Sequence, residues 1–321
     1  MKTFDVTALG EILIDFTENG ISDQGNPLLE VNPGGAPCNV LAMLRKFERQ
    51  VAFIGKAGND NFGHFLKERV KQLGIDTNNL YFDQKVHTTL AFVHTKTNGD
   101  RDFSFCRNPG ADMMLTKSEV REEVIEKSEV FHFGTLSMTH EGVREATLKA
   151  LDMAKKHECL VSFDPNIREP LWESLDDARK QVETGLSYCD ILKISDNEIR
   201  WFTGERDFSD GVKKINEKYN IKLILVSMGS EGSRAYYDGS MVEADAFLTK
   251  KTIETTGAGD TFCGCILNFI IEWGLENLDR NKLFHMLQFA NAAASLVTTR
   301  KGALCSMPEI AEIKAFMQLY Q

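Results

Sequence analysis

Residues 253–262 of this chain, Ile-Glu-Thr-Thr-Gly-Ala-Gly-Asp-Thr-Phe, concentrate more chemistry than any other stretch. Gly257, Ala258 and Gly259 let the backbone turn tightly, and an apolar helical pattern on Phe262, Cys265, Ile266, Phe269 and Ile270 follows at once. Bare amides at a helix start, backed by the helix dipole, favour an anion such as a phosphoryl group. Asp260 in that turn has two readings. It can cap the helix, or it can take the proton from a hydroxyl that attacks phosphorus beside the anion site.

A second glycine-rich stretch, residues 32–39 (Asn-Pro-Gly-Gly-Ala-Pro-Cys-Asn), opens the helical pattern Val40/Met43/Leu44/Phe47. Gly34 and Gly35 admit close approach of a ligand, and the Asn39 amide offers donors and an acceptor suited to sugar hydroxyls. By itself this is also what an ordinary turn and helix start look like. Residues 54–63 (Ile-Gly-Lys-Ala-Gly-Asn-Asp-Asn-Phe-Gly) add a third glycine-punctuated strand end. No Walker phosphate loop and no His-Arg-Asp triplet occurs. The seven histidines show no ligand spacing, and Cys263 and Cys265 on one helix point apart, so metal ligation by these residues is not expected.

These segments need elements to position them. Apolar runs at 6–9, 51–54, 160–163, 191–194 and 223–226 read as buried strands, with helical periodicity between them at 40–47, 62–73, 143–151 and 182–186. Strands alternating with helices predict a doubly wound α/β fold with a mainly parallel sheet. Two β-like stretches interrupt it. Residues 87–106 predict a hairpin about a type I′ turn at Asn98-Gly99, and residues 11–31 carry turn residues at Gly20, Gly25, Asn26 and Pro27. Together they predict a small antiparallel lid, about 11–33 and 86–108, on a single domain spanning 1–321, placed to cover the carboxyl ends of the parallel strands.

The 321 residues carry 47 acidic and 37 basic side chains, a net charge of −10, which does not suit a nucleic-acid backbone. Seven unclustered cysteines argue against a secreted disulfide framework, acids at Asp5 and Glu11 interrupt any signal-peptide core, and no apolar run is long enough to span a membrane. A cytoplasmic location is the expectation.

The order of these motifs resembles the ribokinase/PfkB-type carbohydrate kinases over nearly the whole chain, from Gly10-Glu11 to Lys301-Gly302-Ala303, and is most similar to the bacterial fructokinases. Residues 34–58 and 255–260 carry the family signatures. Residues 10–15, 105–112 and 164–172 carry the fructokinase likeness. The resemblance implies a ribokinase-like fold and transfer of the ATP γ-phosphoryl group to a primary sugar hydroxyl, most closely O6 of fructose. Ribose, 2-keto-3-deoxygluconate or a nucleoside remain alternative acceptors, and a catalytically silent sugar-binding regulator is the alternative outside enzymes.

By the same resemblance Asp260 is the base, with Gly257, Ala258 and Gly259 as the anion hole. Asp15, Gly34, Gly35 and Asn39 hold the sugar, with Arg107 reaching in from the lid and Arg168 near sugar or phosphates. Ser227, Gly229, Gly232 and Asn291 belong to the nucleotide site. Glu198, in an element where Ser195 replaces the usual Asn, orders water on an ATP-bound Mg²⁺. A monovalent cation such as K⁺ beside the anion hole is a further implication, and Glu254 in place of Asp bears on it. Cys106 stands where Tyr is common beside the Arg. Separately from the resemblance, exposed edge strands at 90–95 and 103–106 predict that two lids pair to make a homodimer.

Overall fold

Runs such as Val51-Ala52-Phe53-Ile54 and Leu223-Ile224-Leu225-Val226 are buried on both faces, which is possible only where helices cover a sheet from both sides. In the computed structural model, which describes residues 2–95 and 101–320, that sheet has nine strands. They are β1 (Phe4–Leu9), β4 (Val51–Gly58), β5 (Asp76–Asp83), β8 (Ser128–Gly134), β9 (Leu160–Asp164), β10 (Ile191–Ser195), β11 (Leu223–Ser227), β12 (Ser233–Tyr237) and β13 (Ser240–Ala244), in the order β13-β12-β11-β10-β9-β8-β1-β4-β5. The seven from β11 to β5 are parallel, and β12 and β13 close one edge as an antiparallel hairpin.

Alternate residues feed two cores. Val51 and Phe53 join one with Leu223 and Leu225, while Ala52 and Ile54 join the other with Ile224 and Val226. The first is covered by α1 (Ala36–Lys46), α8 (Ala258–Trp273) and α9 (Arg280–Val297). The second is covered by α4 (Glu141–Lys156), α5 (Leu175–Tyr188), α6 (Asp196–Thr203) and α7 (Phe208–Tyr219). None of the described helices is long and apolar enough to cross a membrane.

The interrupting stretches form a separate four-stranded sheet in the order β3-β2-β6-β7, from β2 (Leu13–Ile21), β3 (Pro27–Gly34), β6 (Leu90–Thr95) and β7 (Arg101–Cys106). Each hairpin is antiparallel, and the two are joined by a parallel pairing of β2 with β6. The expected Asn98-Gly99 turn lies outside the described residues. One expectation needs correction: residues 90–95 are not an edge strand, because β6 is bonded on both sides, and the edges are β3 and β7. Among the side chains described, the exposed large apolar ones of this sheet, Ile21, Leu28, Leu29 and Val31, belong to the β2/β3 hairpin.

Candidate active site

Strand ends decide what meets. In parallel order, the carboxyl ends of β1, β9 and β10 bring Glu11, Asp164 and Lys193 to one edge of the sheet, and α8 delivers Asp260 across from them. Glu11, Lys193 and Asp260 border a cleft of about 470 Å³ lined also by Asp15, Gly35, Asn39, Phe105, Arg168 and residues 255–257, with Asp164 behind it, paired to Lys193. A second cavity of about 350 Å³ lies on the other side of the same turn, with Thr255 and Gly259 common to both. It is walled by Ser227, Gly229, Gly232, Phe247, Leu248, Ala258, Asn291 and Ala294.

The turn itself is dictated by glycine. Gly257 precedes α8 at φ 77°, and a Cβ there would lie 2.6 Å from that of Ala303, so both conformation and space exclude a side chain. Amides in the first turn of a helix have no intrahelical acceptor. Here the Ala258 amide bends back to the Thr255 carbonyl at 3.3 Å.

Asp260 does not cap its own helix. Its Oδ2 accepts from the Asn39 side-chain amide at 2.8 Å, across the junction of α1 with α8. The capping reading is thereby overturned: the carboxylate lies in the first turn of α8, where no side chain caps the helix start, and is buried at the floor of the cleft. Burial pushes its pKa up, while the Asn39 bond and the charges of Lys193 and Arg168 pull the other way. Asp164 is pushed up to about 6 by burial, opposed by Lys193 and assisted by the Glu198 and Asp260 charges. Burial works to lower the Lys193 ammonium, yet Asp164, Glu198 and Asp260 together hold it above its ordinary range. Glu11 is pushed up to about 7 by burial, even though its own backbone and the Ala36 amide favour the carboxylate.

The structure brings most of the residues named from the sequence to these two cavities. Asp15, Gly35, Asn39 and Arg168 line the polar cleft, and Ser227, Gly229, Gly232 and Asn291 line the second cavity. Asn291 does so without a free hand: its Oδ1 accepts from Ser233, and its Nδ2 donates to the carbonyls of Ala244 and Asp245. Its role is to hold the β13 end in place beside the cavity.

Three expectations change. Arg107 does not reach into the cleft, because its guanidinium is buried against Asp112, the Thr139 hydroxyl and the Leu136 carbonyl. Gly34 does not line the cleft either. A Cβ there would collide with the Asp15 carboxylate, so its contribution is room for Asp15. Glu198 stands behind the wall, taking the Ile167 amide at 2.7 Å and, through the other oxygen, the Ser195 amide and hydroxyl. It thereby ties α6 to the 166–168 segment that carries Arg168. Ser195 is a helix cap in a capping box with Glu198. Among the departures from the family pattern, Glu254 accepts from the Gly302 amide at 2.9 Å, and Cys106 is exposed.

Sequence reasoning missed Glu11, Asp164 and Lys193 as site residues. The signal was present in Lys193, a lysine inside an otherwise apolar strand.

The deciding comparison is with a family model, that of the pfkB family carbohydrate kinases, which matches residues 3–310. This chain belongs to that family. A curated relative, probable fructokinase-2 of Arabidopsis thaliana, is 38% identical over 316 residues, covering 98% of this chain and 96% of its own. The fructokinase of Xylella fastidiosa, solved with bound ATP, superposes with a TM-score of 0.89 at 26% identity, covering 98% of this chain and 99% of the other. A fructokinase from Vibrio cholerae O395, solved with fructose, ADP and calcium ion, gives 0.88 at 29% identity, with 97% and 98% covered. This kinase therefore shares fold and sequence with fructokinases across almost its full length.

Proposed function

We propose that this kinase transfers the γ-phosphoryl group of ATP to O6 of fructose, giving fructose 6-phosphate and ADP. The observation that carries the reading is the shared 255–259 turn, with a polar cleft holding the buried Asp260 on one side and a largely apolar cavity on the other. The relatives' fructokinase names point to the same acceptor. Asp260 accepts the hydroxyl proton as the sugar oxygen bonds to phosphorus and the bond to the departing ADP breaks. The amides of the turn receive the phosphoryl oxygens. Asp15, Asn39 and Arg168 orient the sugar, and the four-stranded sheet acts as a lid that excludes water.

No cluster of three or more His, Cys, Asp or Glu suited to a metal ion occurs among the described residues. Glu198 is already bonded to backbone amides. The donor set thus fits Mg²⁺ that arrives on the nucleotide and keeps its water, with Glu198 behind it. When bound, Mg²⁺ supplies charge neutralisation at the phosphates. A monovalent cation near Glu254 and Gly302 belongs to the same proposal.

The proposed dimer pairs lids through the β2/β3 hairpin, where Ile21 is 73% exposed. Sedimentation at micromolar concentration checks this, and a fully active monomer refutes it.

The acceptor is tested by measuring kcat/KM across a sugar panel with ATP and Mg²⁺. Fructose should rank first, because a polar site loses much when a hydroxyl partner is missing. A tenfold or greater preference for ribose, adenosine or ketodeoxygluconate overturns the fructose assignment. No ADP release with any sugar overturns phosphoryl transfer itself.

A further inference from the structure

Residues 246–249 wall the apolar side of the second cavity without belonging to a helix or strand. The frame holds the chain on either side of them. Asn291 donates to the carbonyls of Ala244 and Asp245, and the Thr298 carbonyl accepts from the amides of Ile253 and Glu254. Between these anchors Thr249 bonds only Lys251 and Thr252, its own neighbours. A segment so loosely tied loses conformational entropy when a ligand settles on it, and affinity falls accordingly.

Among the described residues, one hydrogen bond reaches 246–250 from another element: the Tyr320 hydroxyl donates to the Leu248 carbonyl. The Tyr320 ring also meets Phe247 edge-on, with centroids 5.2 Å apart and planes at 72°. Phe316 completes the cluster, 5.1 Å from Tyr320 and 5.9 Å from Phe247. Phe316 belongs to α10 (Ile310–Gln318), and that helix is fixed to the body. Ile313 is buried in the first core, Glu309 at the helix start pairs with Lys46 of α1, and Glu312 pairs with Arg300. Tyr320 itself lines neither cavity and is 51% exposed, so the packing of the core does not require it. What it touches is the back of the cavity wall.

We propose that Tyr320 is a positioning residue for the nucleotide, clamping Phe247 and Leu248 into the wall against which the base of ATP lies. This rests on the kinase reading. The base is the flat, largely apolar part of ATP and suits that wall, whereas the phosphates belong at the 255–259 turn on the far side of the same cavity. The clamp orders the wall before the ligand arrives, so it raises nucleotide affinity and leaves the transfer step untouched.

The test compares Tyr320→Phe, which keeps the ring contacts and loses the hydroxyl bond, with Tyr320→Ala, which loses both. The KM for ATP should rise about threefold in the first and about tenfold in the second, the scale of one net hydrogen bond and of an aromatic contact added to it. The Kd for ADP, measured by calorimetry, should rise in step, while kcat and the fructose KM stay within about twofold of the parent's. Both variants should melt close to the parent, and trypsin should cut Tyr320→Ala faster at the exposed Lys250 and Lys251, reporting the released segment directly. An ATP KM in Tyr320→Ala within about twofold of the parent's, or unchanged cleavage at those lysines, overturns the clamp. So does a fall in kcat as large as the rise in ATP KM, which marks a general loosening of the fold. A parent that binds ADP but phosphorylates no sugar defeats the kinase reading instead, and leaves the effect of Tyr320 on ADP affinity to decide the clamp.

Discussion

The two cavities that meet at the 255–259 turn are built on opposite principles. The polar cleft gathers ionisable groups, Glu11, Asp15, Lys193, Arg168 and Asp260. Asn39 donates to Asp260 while its own Oδ1 has no partner. On the other side, Phe247, Leu248, Phe262 and Ala294 present apolar surface, and the polar Asn291 spends its hydrogen bonds on the protein. One cavity selects by directed bonds and charge, the other by shape. Errors in the first should damage chemistry, and errors in the second should damage affinity.

The largest expected effect is Asp260→Asn. Asparagine keeps the size of the side chain and an oxygen for the Asn39 amide, but it cannot usefully take a proton. With saturating fructose, ATP and Mg²⁺, kcat should fall by roughly 10²–10⁴ while both substrate affinities stay near the parent's. A kcat within about threefold, with chemistry shown to limit turnover, would break the contrast at its centre.

Glu11 gives a second, pH-resolved test on the same side. Its folded pKa is raised from 4.5 to about 7. A raised carboxyl pKa favours the folded state while the group is protonated, so this contribution is complete below about pH 4.5 and fades as pH rises through about 7. Glu11→Gln retains an oxygen for the Ala36 amide and removes the titration. The stability of the variant relative to the parent should therefore improve between pH 4.5 and pH 8, by roughly 3 kcal/mol at most. Parallel stability-against-pH curves for the two proteins would show that Glu11 does not carry this linkage.

The smallest expected effect belongs to the apolar side. Ala294→Phe fills part of the second cavity, and the ATP KM should rise about tenfold or more, the scale on which apolar pockets discriminate. The kcat and the fructose KM should change by less than about threefold. If instead kcat falls as far as ATP affinity does, the division between chemistry and affinity fails.

Much of this division was legible in the chain itself. The glycine turn at 257–259 with Asp260, the Asn39 helix start and the alternation of strand and helix are local patterns, each written in neighbouring residues. The strand β8 was not legible: Glu129 and His132 interrupt its apolar run, and only inside the sheet does His132 lie beside Ser162, its Nδ1 3.0 Å from the hydroxyl. There burial and the Lys193 charge depress its pKa to about 3.

The sequence by itself determined the glycine turn at 257–259, because tight turns and helix starts are set by residues a few positions apart. Tertiary structure alone decided which charges share that turn. Asp164, Lys193 and Asp260 come together through the order of parallel strands and the docking of α8, and their proton affinities depend on mutual distance and exclusion of water. The same holds for what was misjudged. Arg107 looked free to reach a ligand until folding buried it on Asp112. Of the two readings open for Asp260, the cap gave way only when Asn39, 221 residues away in sequence, took hold of the carboxylate.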